Sequence, residues 1–313
     1  DGQRHVFSHF GSGAFAGATT YLSKYFVCHP MLFRKERDSL RDKLLDQPQV
    51  LVDGDCPVTT PYDMILNQAL ERSRGVARLG SCGIGFNETL ERHTALGGVP
   101  FYVRNLRDPA LTRVIMGEIR RRWIPLRLQQ LGLVLTEEER ELVESEAIGR
   151  SFLGDCAYFS VAVRIAPERL IAAWPVVIFE GAQGLLLDQD GPYFPHVTRS
   201  NTGLTNVIIL LGAQDVADVE VTYVTRCYLT RHGAGPLPGE LPEWPFPPFA
   251  QETNVTNEYQ GAFRFAWLDL DLLTATVRTD YLLSSHIHSA RRKPNLAVTC
   301  LDHIDGQRIS LGK

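Results

Sequence analysis

The stretch VVIFEGAQGLLLDQDGPYFPHVTRSNTGLTN, residues 176–206, decides how this chain reads. Val176 to Phe179 is a short apolar, β-branched run of the kind that forms a buried strand in an α/β sheet. It ends at Glu180, and Gly181-Ala182-Gln183-Gly184 follows at once. Two glycines flanking an amide side chain suit a tight turn where backbone approaches a ligand. Leu185 to Leu187 are expected to return to the core. Gly191, Pro192 and Pro195 then break regular structure ahead of Thr198-Arg199-Ser200-Asn201-Thr202. A buried strand that delivers Gln, Thr, Arg and Asn into glycine-rich loops places a ligand site at strand ends. An ordinary βα loop leading into a capped helix would carry the same polarity.

Upstream, the pattern is largely helical. Thr60-Pro61-Tyr62-Asp63 predicts a helix start, with Thr as cap, Pro in the first turn and an acid following. That helix carries Ile65, Leu66, Ala69 and Leu70 and should stop at Gly75. Pro30 opens another through Leu45, with Phe33, Leu40 and Leu44 on one face. Residues 106–172 look mostly helical, and Thr136-Glu137-Glu138-Glu139 is a capping box for a helix through Ser145. His5 to Phe10 and Phe26 to Cys28 read as strands. The glycines from Gly11 to Gly17 nearly spell a dinucleotide fingerprint, but the third comes one residue late and no acid follows at the usual distance, so they read as a connection. Arg78-Leu79-Gly80-Ser81-Cys82-Gly83-Ile84-Gly85 offers amides and a hydroxyl that could hold a phosphate, although the spacing alone fits a surface turn as well. Nothing pairs Cys82 with a base, so it is not read as a nucleophile. Arg120 to Arg122 read as a solvated face.

Downstream, Val219 to Leu229 alternates as a strand and ends at Thr230-Arg231-His232-Gly233-Ala234-Gly235-Pro236. Six prolines between Pro236 and Pro248 make that segment extended and irregular. Trp267-Leu268-Asp269-Leu270 is expected to be helical. Arg264 beside a glycine could bind an anion or form a surface salt bridge. His286 and His288 lack a third ligand, so no metal site is assigned. Leu296 to Thr299 reads as a strand leading to Cys300-Leu301-Asp302.

The whole-chain numbers narrow the function. The 313 residues, 44% hydrophobic and 22% charged, describe a soluble globular protein with ample core. A net charge of -4 gives no basic field of the kind nucleic-acid binding needs. The longest apolar runs, such as Val207 to Leu211, are far too short to span a bilayer. The six cysteines have no paired spacing and read as reduced cytoplasmic thiols, neither a disulfide framework nor a zinc site.

Taken together, FEGAQGLLLD (179–188), YFPHVTRSNT (193–202), TRHGAGPLPGE (230–240), RLGSCGIG (78–85), WLDL (267–270) and VTCLD (298–302) resemble the adenylosuccinate synthetase family. They fall in the family's order and cover most of the chain. A second resemblance is to a viral branch that joins aspartate to a guanine deoxynucleotide. The resemblance implies an α/β fold with a central, largely parallel sheet and helices on both faces, and one domain over residues 1–313 that is incomplete at both ends. It implies a cytoplasmic, homodimeric ligase whose sites borrow an arginine from the second subunit. The family uses GTP and Mg²⁺ to phosphorylate the 6-oxygen of IMP, and aspartate then displaces that phosphate. A non-catalytic purine-nucleotide-binding protein of the same fold, or a ligase acting on dGMP, are the alternatives.

The resemblance also implies roles. Gln183 would read the purine ring, with Arg264 as the second catalytic side chain, stabilising charge on the transferring phosphoryl group or the aspartate. Ser81, Cys82 and Thr198 would hold the 5′-phosphate, Gly83 would join them and Gln183 in binding the nucleotide, and His232 would lie against the ribose. Arg264 and Asp302 would contact GTP, Asp302 by accepting hydrogen bonds from the guanine edge. Cys82 stands for the family's usual threonine, Cys300 for its lysine, and the arginine-rich aspartate loop is reduced to QGAFR (260–264). The family's phosphate loop, its catalytic Asp and its catalytic His are expected upstream of Asp1, and a further base-contacting loop beyond Asp302.

Overall fold

The computed structural model describes residues 4–44, 46–212, 214, 216–244, 261 and 263–303. The chain divides into two compact units, Asp1–Gly75 with Gly83–Glu180, and Val76–Cys82 with Gly181–Lys313.

In the first unit a parallel sheet runs in the order β1 (Thr20–Leu22), β2 (Val50–Val52), β3 (Arg164–Ile165). Thr20 lies opposite Val50 and Leu51 opposite Arg164. All three residues of β2 are buried, as expected for a parallel strand covered on both faces. Around it fold α1 (Pro30–Arg41), α2 (Pro61–Arg74), α3 (Phe86–Thr94), α4 (Pro109–Glu118), α5 (Ile124–Leu131), α6 (Glu137–Glu144) and α7 (Glu146–Ala162). The core they share contains Phe33, Leu40, Val52, Leu66, Phe101, Trp123 and Phe159, all fully buried.

The helix signals act as the sequence predicts. Thr60 and Asp63 make a reciprocal capping box on α2, and Gly75 ends it. Thr136 and Glu139 do the same for α6. Helix α1 begins at Pro30 and ends at Arg41, short of Leu45, which lies outside the described residues. Arg120 pairs with Glu146, and Arg121 and Arg122 pair with Glu118, so this run is a solvated, neutralised face.

Two expected strands do not form. The backbone N–H groups of Ser8 and His9 donate to the two carboxylate oxygens of Glu36 at 2.8 and 2.6 Å. A side chain thus takes the donors that a strand would give to a neighbour. Residues 176–179 are also irregular, with Val176 76% and Ile178 86% exposed. No described strand of the first unit continues the sheet past β3, and an apolar run without a partner strand has nothing to pair with. The expected strand at Phe26 to Cys28 shrinks to a single bridge between Cys28 and Val58.

Glu36 belongs to a buried polar cluster with an acid-sensitive consequence. Its carboxylate also accepts from Ser8 Oγ at 2.5 Å and lies 3.4 Å from His5 Nε2 and 3.7 Å from His9 Nδ1, while Lys43 Nζ lies 3.2 Å from His5 Nδ1. The His29 N–H donates to His9 Nε2 at 2.9 Å. Burial, with His9 second, pushes the His29 imidazole from 6.5 down to about 4, against the opposing effects of a backbone hydrogen bond and of Asp63. Burial raises the Glu36 carboxyl, but hydrogen bonds from His9 and Ser8 outweigh it and hold the group at about 2, below its ordinary 4.5. Both folded values lie below the unfolded ones. Each stabilisation is therefore complete above the unfolded value and lost as pH falls through the folded one. Urea midpoints are expected to fall from pH 6.5 towards 4 as His29 must charge, and again from pH 4.5 towards 2 as Glu36 protonates. Each step is worth on the order of 3 kcal/mol. A midpoint independent of pH from 7 to 3 would count against this cluster.

The second unit holds α8 (Thr205–Leu211) and α9 (Leu270–Leu282), the parallel pair β4 (Val216–Arg226) and β7 (Ser289–Thr299), and the antiparallel pair β5 (Tyr228–His232) and β6 (Phe263–Trp267). The predicted strand from Val219 to Leu229 is in fact two, broken at Cys227. Trp267-Leu268-Asp269-Leu270 is not a helix of its own. Phe263 to Trp267 pairs with β5, and Asp269 caps α9 by accepting from the Leu272 N–H at 2.9 Å. The three leucines from Leu185 to Leu187 form a half-buried 3-10 turn, not a core run. Gln260, Ala262 and the prolines at 245, 247 and 248 lie outside the described residues. No helix among the described residues is long and apolar enough to cross a membrane. Parallel pairings combined with nine described helices make the fold α/β.

Candidate functional site

In the second unit the predicted loops meet through backbone contacts. The turn Gly181–Gly184 presents Gln183 at φ 71, a conformation that non-glycine residues rarely adopt. Its side chain is exposed and makes no hydrogen bond among the described residues. Backbone strain of this kind gathers at ligand sites.

The next segment is stitched to the polar cluster by Asp188. Its Oδ2 accepts from the Thr202 N–H at 2.7 Å, and its Oδ1 accepts from Asn201 Nδ2 at 3.4 Å. Gln189 Nε2 donates to Asn201 Oδ1 at 3.2 Å, and the Thr198 N–H donates to the Leu187 carbonyl at 2.8 Å. Below this loop Asp280 is buried, accepting from the Leu204 N–H at 3.0 Å and from the Tyr223 hydroxyl at 2.7 Å. Burial and the Asp280 carboxylate push the Tyr223 phenol well above its ordinary value, so it remains a donor.

The loop after β5 is fixed from two sides. Arg231 is buried, and its Nε donates to the Ala234 carbonyl at 2.9 Å while a terminal nitrogen donates to the His196 carbonyl at 2.7 Å. Arg231 thus joins the turn 233–235 to the segment that leads to Thr198. Directly across the ladder, Arg264 donates to the Gly233 and Gly235 carbonyls at 3.0 and 2.9 Å. Its remaining nitrogens form a fork with the Glu240 carboxylate, Nε at 2.7 Å. The predicted charge-stabilising arginine is therefore held by Glu240 and by the loop it supports.

Two glycines bring in the loop 78–82. A Cβ on Gly80 would stand 2.3 Å from Gly233 Cα and 3.1 Å from the Ala234 nitrogen. Only two bare backbones can approach so closely. Ser81 and Cys82, the latter exposed, are thereby carried against the His232 loop. His232 stacks edge-on against Phe263 with centroids 5.3 Å apart, and its Nε2 is buried without a hydrogen-bond partner among the described residues. A buried ring nitrogen left unpaired is unusual and marks a position that a ligand atom can satisfy.

Gly83 lies in the first unit, where its carbonyl accepts from Gln68 Nε2 at 3.0 Å. Asp302 sits in a short turn, 301–303, with its side chain 85% exposed and 3.8 Å from His303. No group of three or more His, Cys, Asp or Glu among the described residues is placed to hold a metal ion.

Sequence reasoning missed Arg231, Asp188, Asp280 and Glu240. Arg231 and Glu240 lie inside TRHGAGPLPGE, but their partners are backbone carbonyls and a residue 24 positions away, which no local spacing encodes.

The adenylosuccinate synthetase family model matches residues 1–301. An adenylosuccinate synthetase of Anaeromyxobacter dehalogenans (strain 2CP-C) is 30% identical over 280 residues, covering 85% of this chain and 61% of that protein. One from Desulfatibacillum aliphaticivorans is 28% identical over 329 residues, covering 98% and 68%. The structure of a fully ligated adenylosuccinate synthetase from Plasmodium falciparum shares the fold at a TM-score of 0.58 and 19% identity, over 92% of this chain and 63% of that one. The chain thus spans about three fifths of the length of the first of these relatives. Matched along nearly all of its length, it belongs to the adenylosuccinate synthetase family.

Proposed function

We propose that this chain is part of a GTP-dependent ligase that joins aspartate to C6 of a purine nucleotide through a 6-phosphoryl intermediate. The observation that supports the reading is the apposition of Gly80 and Gly233, which joins the loop carrying Ser81 and Cys82 to the turn that follows His232, whose buried Nε2 has no hydrogen-bond partner among the described residues. A mononucleotide needs a phosphate cradle and a ribose contact, and amides, hydroxyls and an imidazole on these two loops are the group types that would serve. Ser81, Cys82 and Thr198 take the 5′-phosphate, and His232 meets the ribose.

Gln183, a neutral amide at an exposed turn, reads the purine edge without adding charge that would oppose phosphorylation at O6. Arg264 stabilises the developing charge of the transferring phosphoryl group or the aspartate once it shares its fork with substrate as well as Glu240. Asp302 accepts hydrogen bonds from the guanine of GTP. The family resemblance extends the reading to Mg²⁺ as the cation accompanying GTP and to a cytoplasmic homodimer. The acceptor is IMP, or dGMP if the chain follows the viral branch.

Replacing Gln183 with Ala is expected to weaken purine monophosphate binding by about 1–3 kcal/mol, the cost of leaving a polar base edge unpaired. Isothermal calorimetry with IMP and with dGMP checks this. Unchanged affinity for both would remove Gln183 from the site.

A further inference from the structure

The far ends of β4 and β7 carry two thiols that the proposed reaction does not use. Arg226 is the last residue of β4 and lies opposite Thr299 in the parallel register. The Cys227 N–H continues the ladder by donating to the Thr299 carbonyl at 3.0 Å. Cys227 and Cys300 therefore stand across from each other one step past the paired strands. Neighbouring strands lie about 4.8 Å apart. That falls within the roughly 4.4–6.8 Å Cα separation a disulfide can bridge. The Cys227 thiol already donates to the Cys300 carbonyl oxygen at 3.0 Å, so its sulfur rests against the residue it would join.

The two thiols differ in access. Cys227 is buried, and burial pushes its thiol up, with Cys300 adding to the effect. Cys300 is half-exposed at φ 59, a left-handed bend that turns it out of the strand line. A dissolved oxidant reaches Cys300, and Cys227 waits behind it. The other cysteines lack this combination. Cys28 and Cys56 also adjoin, but both are completely buried; Cys156 is buried and Cys82 is exposed.

We propose that Cys227 and Cys300 form a peroxide-responsive dithiol that closes to a reversible disulfide. The Cys300 thiolate attacks one oxygen of hydrogen peroxide. The O–O bond breaks, hydroxide leaves and takes up the thiol proton as water, and Cys300 is left as a sulfenic acid. The Cys227 sulfur then attacks the Cys300 sulfur. The S–S bond forms as the sulfenic hydroxyl departs with the Cys227 proton as a second water. Two thiols give up two electrons, and peroxide is reduced to two waters. The new bond ties the turn 301–303, with Asp302, to the end of β4.

The test is peroxide treatment of the folded protein, followed by digestion with trypsin without reductant. The expected result is a mass lower by about 2 Da, two hydrogens lost, and a linkage between the peptides 227–231 and 293–308. Dithiothreitol should restore the starting mass. In the C227S variant, Cys300 should instead accumulate a sulfenic acid trapped by dimedone. Linkage through other cysteines, or a Cys300 left untouched by peroxide, would overturn the proposal. The linkage is read by mass alone in the unmutated chain, so it stands or falls independently of the nucleotide-site reading.

Discussion

Gly80→Ala is expected to cost about 2–4 kcal/mol in the second unit and to lower purine monophosphate affinity at least tenfold. Its Cβ would come within 2.3 Å of Gly233 Cα, and the obstacle is backbone, which no rotamer change can clear. The position is also held at φ 84, where a side chain adds its own strain. The loop 78–82, with Ser81 and Cys82, must lift away from 233–235. Arg264 and Arg231 hold the second loop by three hydrogen bonds to its backbone carbonyls, and Arg231 ties it to the His196 carbonyl by a fourth, so the displacement falls on the first. Urea denaturation reads the stability and calorimetry with IMP or dGMP reads the binding. Wild-type values in both would show that the loops are not locked together.

The second large effect lies in the core of the first unit. Asp63 and Arg92 form a two-pronged ion pair at 2.8 and 2.9 Å with both side chains completely buried. Arg92 also donates to the Val58 and Val99 carbonyls at 2.8 and 2.7 Å, and Asp63 accepts from the Thr60 N–H and hydroxyl, both at 2.8 Å. Removing one partner leaves the other charged, buried and unmatched. Asp63→Asn should therefore destabilise the unit by about 3–5 kcal/mol, more than the loss of a helix cap alone. Arg92→Lys should fall between, since a single ammonium cannot make the fork. A change of less than 1 kcal/mol in the urea midpoint analysis of Asp63→Asn would contradict this account.

What the sequence disclosed follows from how far each signal reaches along the chain. Caps and proline starts are settled within four residues, which is why α2 and α6 begin where Thr60 and Thr136 place them. The loops proposed as the site stand out in the sequence because glycines, Gln183 and Thr198 fall in a tight local order. Strands depend on a partner that the local sequence does not name. Val176 to Phe179 has the composition of a buried strand but no described strand beside it, while the strand Phe263 to Trp267 is hidden beside the helix signal of Asp269. The buried charges were equally illegible. Asp63 reads as a helix-start acid, and nothing near it announces Arg92, 29 residues on. Glu240 and Arg264 meet only because β5 and β6 fold back on each other.

The most direct test of the ligase reading is release of inorganic phosphate from GTP by the full-length protein, given aspartate and either IMP or dGMP. The account predicts that phosphate appears only when GTP, aspartate and one of these nucleotides are all present, together with an equal amount of the succinyl nucleotide. A protein that binds the nucleotide by calorimetry yet releases no phosphate above background would contradict the ligase and leave a purine-nucleotide-binding protein in its place.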